Sequence, residues 1–236
     1  MHQNNVELLD FMGSDKSHAM AAWASTFFEL GIELPKDPKI RVDQIVDHIL
    51  SKSKRMRSIE DLLSYLAKEN HESPFRMSGF VFGMTTDIAT HIQKLKHAVI
   101  LEAENAESAK YKELKEDKFY MPEDWKNFGT IGEKWYGILE QESDIANSLY
   151  HEAYHELKNA GMPLKRVKET ARYFKMYNSQ MNSVNKLSFA GVMQFHHKRT
   201  VDFAQEEIKD VANSMVNCIR EIPGEPFKES LKAFGL

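Results

Sequence analysis

HIQKLKHAVILEAENAESAKY, residues 91–111, carries polar side chains at both ends and an apolar middle, AVILEA. Strong helix formers dominate it, so the stretch predicts a helix running from about residue 90 to Lys110. Gln93, Lys96 and His97 then share one face, where an amide, a cation and an imidazole can converge on a nucleotide. Further on, Ser108, Ala109 and Lys110 offer a hydroxyl, backbone N–H groups and a cation to a phosphate, with Tyr111 beside them. A solvated helix end would use the same residue types, and spacing leaves both readings open.

Upstream, SGFVFGMTTDIA (78–89) is rich in aromatic and β-branched residues and predicts a strand, entered through the turn HESPF. VELLDFM (6–12) predicts another strand. Gly13-Ser14-Asp15 then supplies a turn and a helix N-cap ahead of AMAAWASTFFEL. Between these lie two short helices, one with Ile40, Val42, Ile45, Val46, Ile49 and Leu50 at helical spacing. The other, IEDLLSYLAKEN, starts at a capping box of Ser58 and Asp61.

Downstream, residues 115–133 mix Pro, Gly and charge and predict a long loop, a feature uncommon unless functional. An amphipathic helix is expected from Lys134 to Ala160 on the apolar stripe Trp135, Ile138, Leu139, Ile145, Leu149, Ala153 and Leu157, ending at Gly161. Residues 165–180 look helical. A last helix runs from Val201 to Ile222 with Ala204, Ile208, Val211, Met215 and Cys218 inward. The sum is an α+β, helix-rich chain, expected to form one domain over residues 1–236.

Composition narrows the function. At 236 residues, 42% hydrophobic and 28% charged, the chain can bury a sizeable core. Its net charge of −4 argues against a nucleic-acid binder, which needs a dominant basic face, yet a few local cations suffice for one phosphate. No run of about 18 apolar residues spans a bilayer, and MHQNNVELLD has neither the basic nor the apolar region of a signal peptide. With a single cysteine, Cys218, no internal disulfide can form. A cytoplasmic protein, with no membrane partner, is expected.

Three local features invite chemical readings. His151-Glu152-Ala153-Tyr154-His155 is a literal H-E-x-x-H, a zinc motif when a third ligand is at hand. Here the two histidines share a helix face with Asp144, Ser148 and Lys158, nothing nominates the third ligand, and a solvated face with no metal is expected. Cys218 sits on an apolar stripe, which favours packing over nucleophilic work. His196-His197-Lys198-Arg199 is a polar knot that suits solvated surface or an anion site equally.

The order of these pieces resembles the flavin-dependent thymidylate synthases over nearly the whole chain. The opening strand and turn look like VELLDFMGSD followed by AAWAS, and the family's H-E-[ST]-P-F turn is intact as His71-Glu72-Ser73-Pro74-Phe75. The long motif that joins R-H-R to S-x-N-E-x-S-x-R-Y begins with the preceding glutamine at Gln93. It continues as Lys96-His97-Ala98 and, after two extra residues, as Asn105-Ala106-Glu107-Ser108-Ala109-Lys110-Tyr111. Ala171-Arg172 resembles the family's A-R. Phe195 to Arg199 followed by Ala204-Gln205-Glu206-Glu207-Ile208 resembles F-x-x-x-R ahead of A-Q-x-E-I.

The resemblance implies a central, mostly antiparallel sheet, a homotetramer, FAD as cofactor, and NADPH and methylene-tetrahydrofolate as co-substrates for methylating dUMP to dTMP. By position, Gln93, Glu107, Ser108, Ala109, Lys110, Arg172 and Arg199 would hold the nucleotide, with Arg199 polarising the pyrimidine as the catalytic group. Ser25, His71, Ser73, Lys96, His97 and Gln194 would line the flavin.

The departures fall at ligand positions. Ala98 and Lys96 replace two arginines, so bidentate phosphate contacts give way to one point charge. Arg76 reverses a family Glu, Ala106 loses another, and a helix over about 38–52 looks inserted. These changes leave two further readings: a relative that hydroxymethylates dUMP or modifies another pyrimidine nucleotide such as dCMP, and a non-catalytic nucleotide-binding paralogue.

Overall fold

The structure, a computed structural model, describes residues 3–24, 34–37, 40–52, 57–97, 100–108 and 110–236. Ser25, Ala98 and Ala109 lie outside the described residues, as do the second half of the helix expected after Ala19 and the first two residues of the expected insertion. Four strands, β1 (Asn5–Met12), β2 (Gly79–Asp87), β3 (Leu101–Ala106) and β4 (Gln180–Leu187), form an antiparallel sheet in the order β1-β2-β4-β3. Helices dominate the rest, so the α+β, helix-rich expectation holds. The residues group into two compact units.

The first unit comprises residues 1–6, 83–97 and 104–184. It holds α4 (Ile88–Leu95), the 31-residue α5 (Gly129–Asn159) and α6 (Leu164–Ala171). Asp87 caps α4 by accepting from the Thr90 N–H at 2.9 Å, and its other oxygen accepts from the Asn4 amide at 2.8 Å. Helix α5 starts five residues before the expected Lys134, after a 3-10 turn at Glu123–Phe128, so the expected 115–133 loop is in part structured. Gly132 is dictated by that turn, because a Cβ there would lie 1.7 Å from the Trp125 carbonyl oxygen.

The inward face of α5 matches the predicted stripe only in part: Leu139 and Leu157 pack against its buried clusters, and the rest of that face is different. Gly132, Tyr136, Ser143, Asn147, Tyr150 and Tyr154 are buried, while Trp135, Ile145 and Leu149 are exposed, together with Phe128 and Ile131. Hydropathy misses the buried face because Ser143 and Asn147 are polar and satisfied there: Ser143 accepts from the Asn178 amide at 2.9 Å, and Asn147 accepts from Lys175 at 2.6 Å. Phe128, Ile131, Trp135, Ile145 and Leu149 are exposed and fall at spacings of three, four or ten residues, which place them along one apolar stripe.

The second unit comprises residues 7–82, 98–103 and 185–236. Its described helices are α1 (Asp15–Ala22), α2 (Arg41–Lys52), α3 (Ile59–Lys68), α7 (Phe189–Arg199), α8 (Glu206–Arg220) and α9 (Lys228–Ala233). Gly13 turns at φ +99°, and a Cβ there would meet Ser78 at 2.8 Å, which fixes glycine before the Ser14 cap of α1. Ile45, Val46 and Ile49 of α2 pack with Ala19, Trp23 and Leu62, so the inserted helix joins the core along much of its predicted stripe, with Ile40 and Leu50 outside it. Ile208, Val211 and Met215 of α8 are buried as expected, and Cys218 is half-buried.

His18, fully buried among Phe75, Phe189 and Phe227, lies 2.8 Å from both Ser78 Oγ and Ser230 Oγ. Burial lowers its imidazole to about 3, so it is neutral at pH 7. Asp15 accepts from the Glu229 and Ser230 backbone N–H groups at 2.8 Å each, tying the start of α1 to the start of α9.

Two segments differ from expectation. The described part of AVILEA, residues 100–103, is not helical: α4 ends at Leu95 and Leu101–Ala106 is β3. Local propensity favours helix there, and the buried Lys94–Glu104 contact overrides it. Residues 165–180 likewise give α6, a 3-10 turn at Arg172–Phe174 and then β4, whose buried positions Gln180, Ser183 and Asn185 carry no apolar alternation.

Candidate functional site

The site in the first unit is built around the join between α4 and β3. Lys94 points inward, only 5% exposed, and its Nζ lies 2.8 Å from Glu104 Oε1 and 3.1 Å from Ser183 Oγ. His91 Nε2 is 3.7 Å from the same Glu104 oxygen. Burial holds the Lys94 ammonium below the usual lysine value and the His91 imidazole below the usual histidine value, and in both Glu104 pulls the other way. This network pins β3 against α4, and so fixes the spacing between the halves of the motif. With Lys94 inward, Ile92 and Lys96 face out, Gln93 and His97 are half-buried, and Lys96 caps the helix.

Beyond β3 the chain turns. Tyr111 N–H donates to the Ser108 carbonyl at 3.1 Å and Lys110 N–H to Ser108 Oγ at 3.3 Å, which leaves the Lys110 side chain exposed. The Glu107 carboxylate is already engaged, accepting from the Asn182 amide at 3.0 Å and lying 2.7 Å from Lys112 Nζ. Glu107 is therefore a positioned acceptor rather than a solvated charge.

Glu107, Ser108 and Arg172 line one cleft, together with Lys118, Lys175 and Gln180. The sequence reading names the first three; the two lysines it misses. Lys118 pairs with Glu116 at 2.7 Å and Lys175 with Asp117 at 3.1 Å. The Arg172 Nε donates to the Glu169 carbonyl at 3.1 Å, and among the described residues no carboxylate pairs with its guanidinium. An arginine held by its own helix turn, with its fork not neutralised by an acid, suits an anionic group that presents two oxygens side by side, such as a phosphate. Gln93, Lys96, His97 and Lys110 do not line this cleft.

The second unit carries His71, Ser73, Gln194 and Arg199. His71 and Ser73 are exposed at the turn that Pro74 opens, anchored by the fully buried Phe75. Gln194, on α7, donates its amide to Glu72, whose same oxygen lies 3.4 Å from Arg76 Nη2. The reversed charge at Arg76 is thus met by Glu72. Gln194 and Glu72 border a cavity of about 500 Å³ with Lys68, His196, His197 and Phe234, within the size range of ligand pockets. Arg199 is half-buried in the last turn of α7, outside that lining. His196 Nε2 lies 3.1 Å from Asn213 Oδ1, and burial lowers its imidazole, so half of the polar knot faces inward.

Residues 7–223 match the family described as "Thymidylate synthase complementing protein", Thy1. The chain belongs to this family. Among Thy1 relatives, the flavin-dependent thymidylate synthase of Thermotoga neapolitana is 30% identical over 219 residues, covering 92% of this chain and 85% of that one. That of Pseudothermotoga lettingae is 29% identical over 223 residues, with the same coverage. A crystal structure of the UMP/dUMP methylase PolB from Streptomyces cacaoi, bound with 5-Br dUMP, superposes with a TM-score of 0.71 at 21% identity, covering 100% of this chain and 96% of that one. At that identity the match speaks for the Thy1 fold.

Proposed function

We propose that this chain is a flavin-dependent enzyme that transfers a one-carbon unit to C5 of a pyrimidine deoxynucleotide, by default methylating dUMP to dTMP with methylene-tetrahydrofolate and NADPH. The observation that carries the reading is the cleft where Glu107, Ser108 and Arg172 meet, three motif positions drawn from two separate segments of the chain. Arg172 and Ser108 hold the phosphate. Asn182 fixes the Glu107 carboxylate so that it can accept from the sugar or base. By motif position alone, Arg199 polarises the pyrimidine carbonyl where negative charge develops, and Gln93, Ala109 and Lys110 complete the nucleotide contacts in the assembled oligomer.

The donor set of the chain fits FAD. The Gln194 amide, the His197 imidazole and the Lys68 ammonium border a cavity large enough for a ring system, and Lys96 offers an exposed cation for a phosphate. When bound and reduced by NADPH, the flavin would supply the hydride that reduces the transferred carbon. His71, Ser73, Lys96, His97 and Gln194 hold the cofactor, and Ser25 joins them. No thiol attack on the pyrimidine is needed, in keeping with a lone Cys218 that is half-buried and whose thiol burial pushes up.

The enzyme works as a homotetramer in the cytoplasm. The cleft measures about 190 Å³, below the roughly 300 Å³ of a complete small-molecule site, so one copy of it holds only part of a nucleotide. The exposed stripe of Phe128, Ile131 and Trp135 supplies a surface for a second copy. Among the described residues no helix is long and apolar enough to cross a membrane.

The test is the visible spectrum of the purified protein with FAD, titrated in turn with dUMP, UMP and dCMP. A bound-flavin spectrum perturbed by dUMP supports the reading; perturbation by dCMP alone moves the substrate to cytosine. Failure to bind flavin under any condition would leave only the non-catalytic reading.

A further inference from the structure

On α5 the side chains of His151 and His155 project from successive turns, and Glu113, on the segment that follows the Ser108 turn, reaches both. Its Oε1 lies 2.9 Å from His151 Nδ1 and 3.3 Å from His155 Nε2, and one ligand atom from each of the three residues falls within 4.8 Å of the others. The other imidazole nitrogen of His151, Nε2, is 3.0 and 3.1 Å from the two carboxylate oxygens of Asp117. Asp117 in turn is held by Lys175 at 3.1 Å, and Lys175 by the Asn147 carbonyl oxygen at 2.6 Å.

We propose that Glu113, His151 and His155 form a binding site for a divalent transition-metal ion of the zinc type. Two neutral imidazoles and one carboxylate are a donor set that zinc favours. Bonds of about 2.0–2.1 Å in a tetrahedral arrangement place ligand atoms about 3.3 Å apart, close to the two separations from Glu113. Asp117 offers the arrangement seen around metal-bound histidines: in the tautomer that carries its proton on Nε2, His151 donates to Asp117 and Nδ1 is left to face the ion. Lys175 and Asn147 hold Asp117 in place, so the orienting shell is as built as the ligands.

The sequence shows H-E-x-x-H but hides its third ligand, because Glu113 precedes the helix by a long stretch of chain. Glu152, the motif's would-be general base, is exposed and takes no part in the cluster. The site therefore holds an ion rather than working as a metallopeptidase centre. His155 is 57% exposed, which leaves the fourth position to water. A bound ion would clamp the segment after Tyr111 onto α5.

The alternative is a pair of imidazolium–carboxylate contacts with no affinity for metal. Zinc chloride is titrated calorimetrically into the untagged full chain after treatment with a chelator, and the thermal midpoint is read with and without zinc. The expected result is one ion per chain and a midpoint raised by zinc, with binding at least tenfold weaker in both His155→Ala and Glu113→Gln. Because His155 is exposed, its variant should melt like the metal-free parent, which separates loss of a ligand from loss of fold. Absence of zinc binding, or undiminished binding in both variants, would overturn the proposal.

Discussion

The Lys94 ammonium lies 2.8 Å from the Glu104 carboxylate, the two side chains only 5% and 13% exposed, and this contact turns a run of helix formers into a strand. Removing one partner leaves an uncompensated buried charge. Lys94→Met is expected to cost about 3–5 kcal/mol of unfolding free energy, whereas Lys94→Met combined with Glu104→Leu should recover most of it. Urea denaturation of the three proteins checks this; equal losses in the single and double variants would show that the pair does not position β3.

Arg172 is expected to carry the phosphate of the nucleotide. Arg172→Ala should weaken dUMP binding about 10- to 100-fold, the worth of one or two charged hydrogen bonds, with flavin binding unchanged. Arg172→Lys should restore part of it, since a point charge replaces a fork. Nucleotide titrations followed through the flavin spectrum read both numbers.

His18 ties stability to pH. Its folded-state value of about 3 lies below the usual 6.5, so its contribution is complete above pH 6.5. Below that the unfolded chain takes up a proton that the folded chain refuses, and stability falls by about 1.4 kcal/mol per pH unit until pH nears 3. In His18→Gln the urea midpoint should fall less steeply between pH 6.5 and 4.5 than in the parent. Parallel slopes would contradict the assignment.

Much of the fold was legible because local signals and tertiary packing agree. The Ser14 and Ser58 caps, the strands β1 and β2 and most of the stripes of α2 and α8 lie where period and capping place them, although α8 starts at Glu206 and not at the expected Val201. What stayed hidden depends on partners distant in sequence. β3 needs Lys94 beneath it, and β4 buries Ser183 and Asn185 where a hydropathy pattern expects apolar residues. The inward face of α5 is read from Ser143, Asn147 and three tyrosines, so its strongest apolar stripe points outward. In the candidate site, order of motifs gave Glu107, Ser108 and Arg172. Lys118 and Lys175 stand in no motif and are found only by proximity.

Two glycines on α5 make a matched pair. Gly132→Ala would place a methyl 1.7 Å from a backbone oxygen and should destabilise by at least about 1–3 kcal/mol as the 3-10 turn shifts. Gly137, with nothing within 4 Å of an added Cβ, should gain roughly 0.5–1 kcal/mol on substitution by alanine. Thermal midpoints moving in opposite directions confirm the packing of α5.

The outward stripe of α5 predicts self-association. Trp135→Glu, at a position already 53% exposed, should leave the fold of a single chain intact and lower the mass measured by light scattering after gel filtration. An unchanged mass would remove this face from the subunit interface.

The most direct test of the central claim is the mass of the nucleotide recovered after incubating the enzyme with FAD, dUMP, methylene-tetrahydrofolate and NADPH. A C5 methylation yields dTMP, heavier than dUMP by the mass of CH2 because a methyl replaces hydrogen, and the product is lost in Arg199→Ala. Recovery of unaltered dUMP from protein that has demonstrably bound both flavin and nucleotide would contradict it.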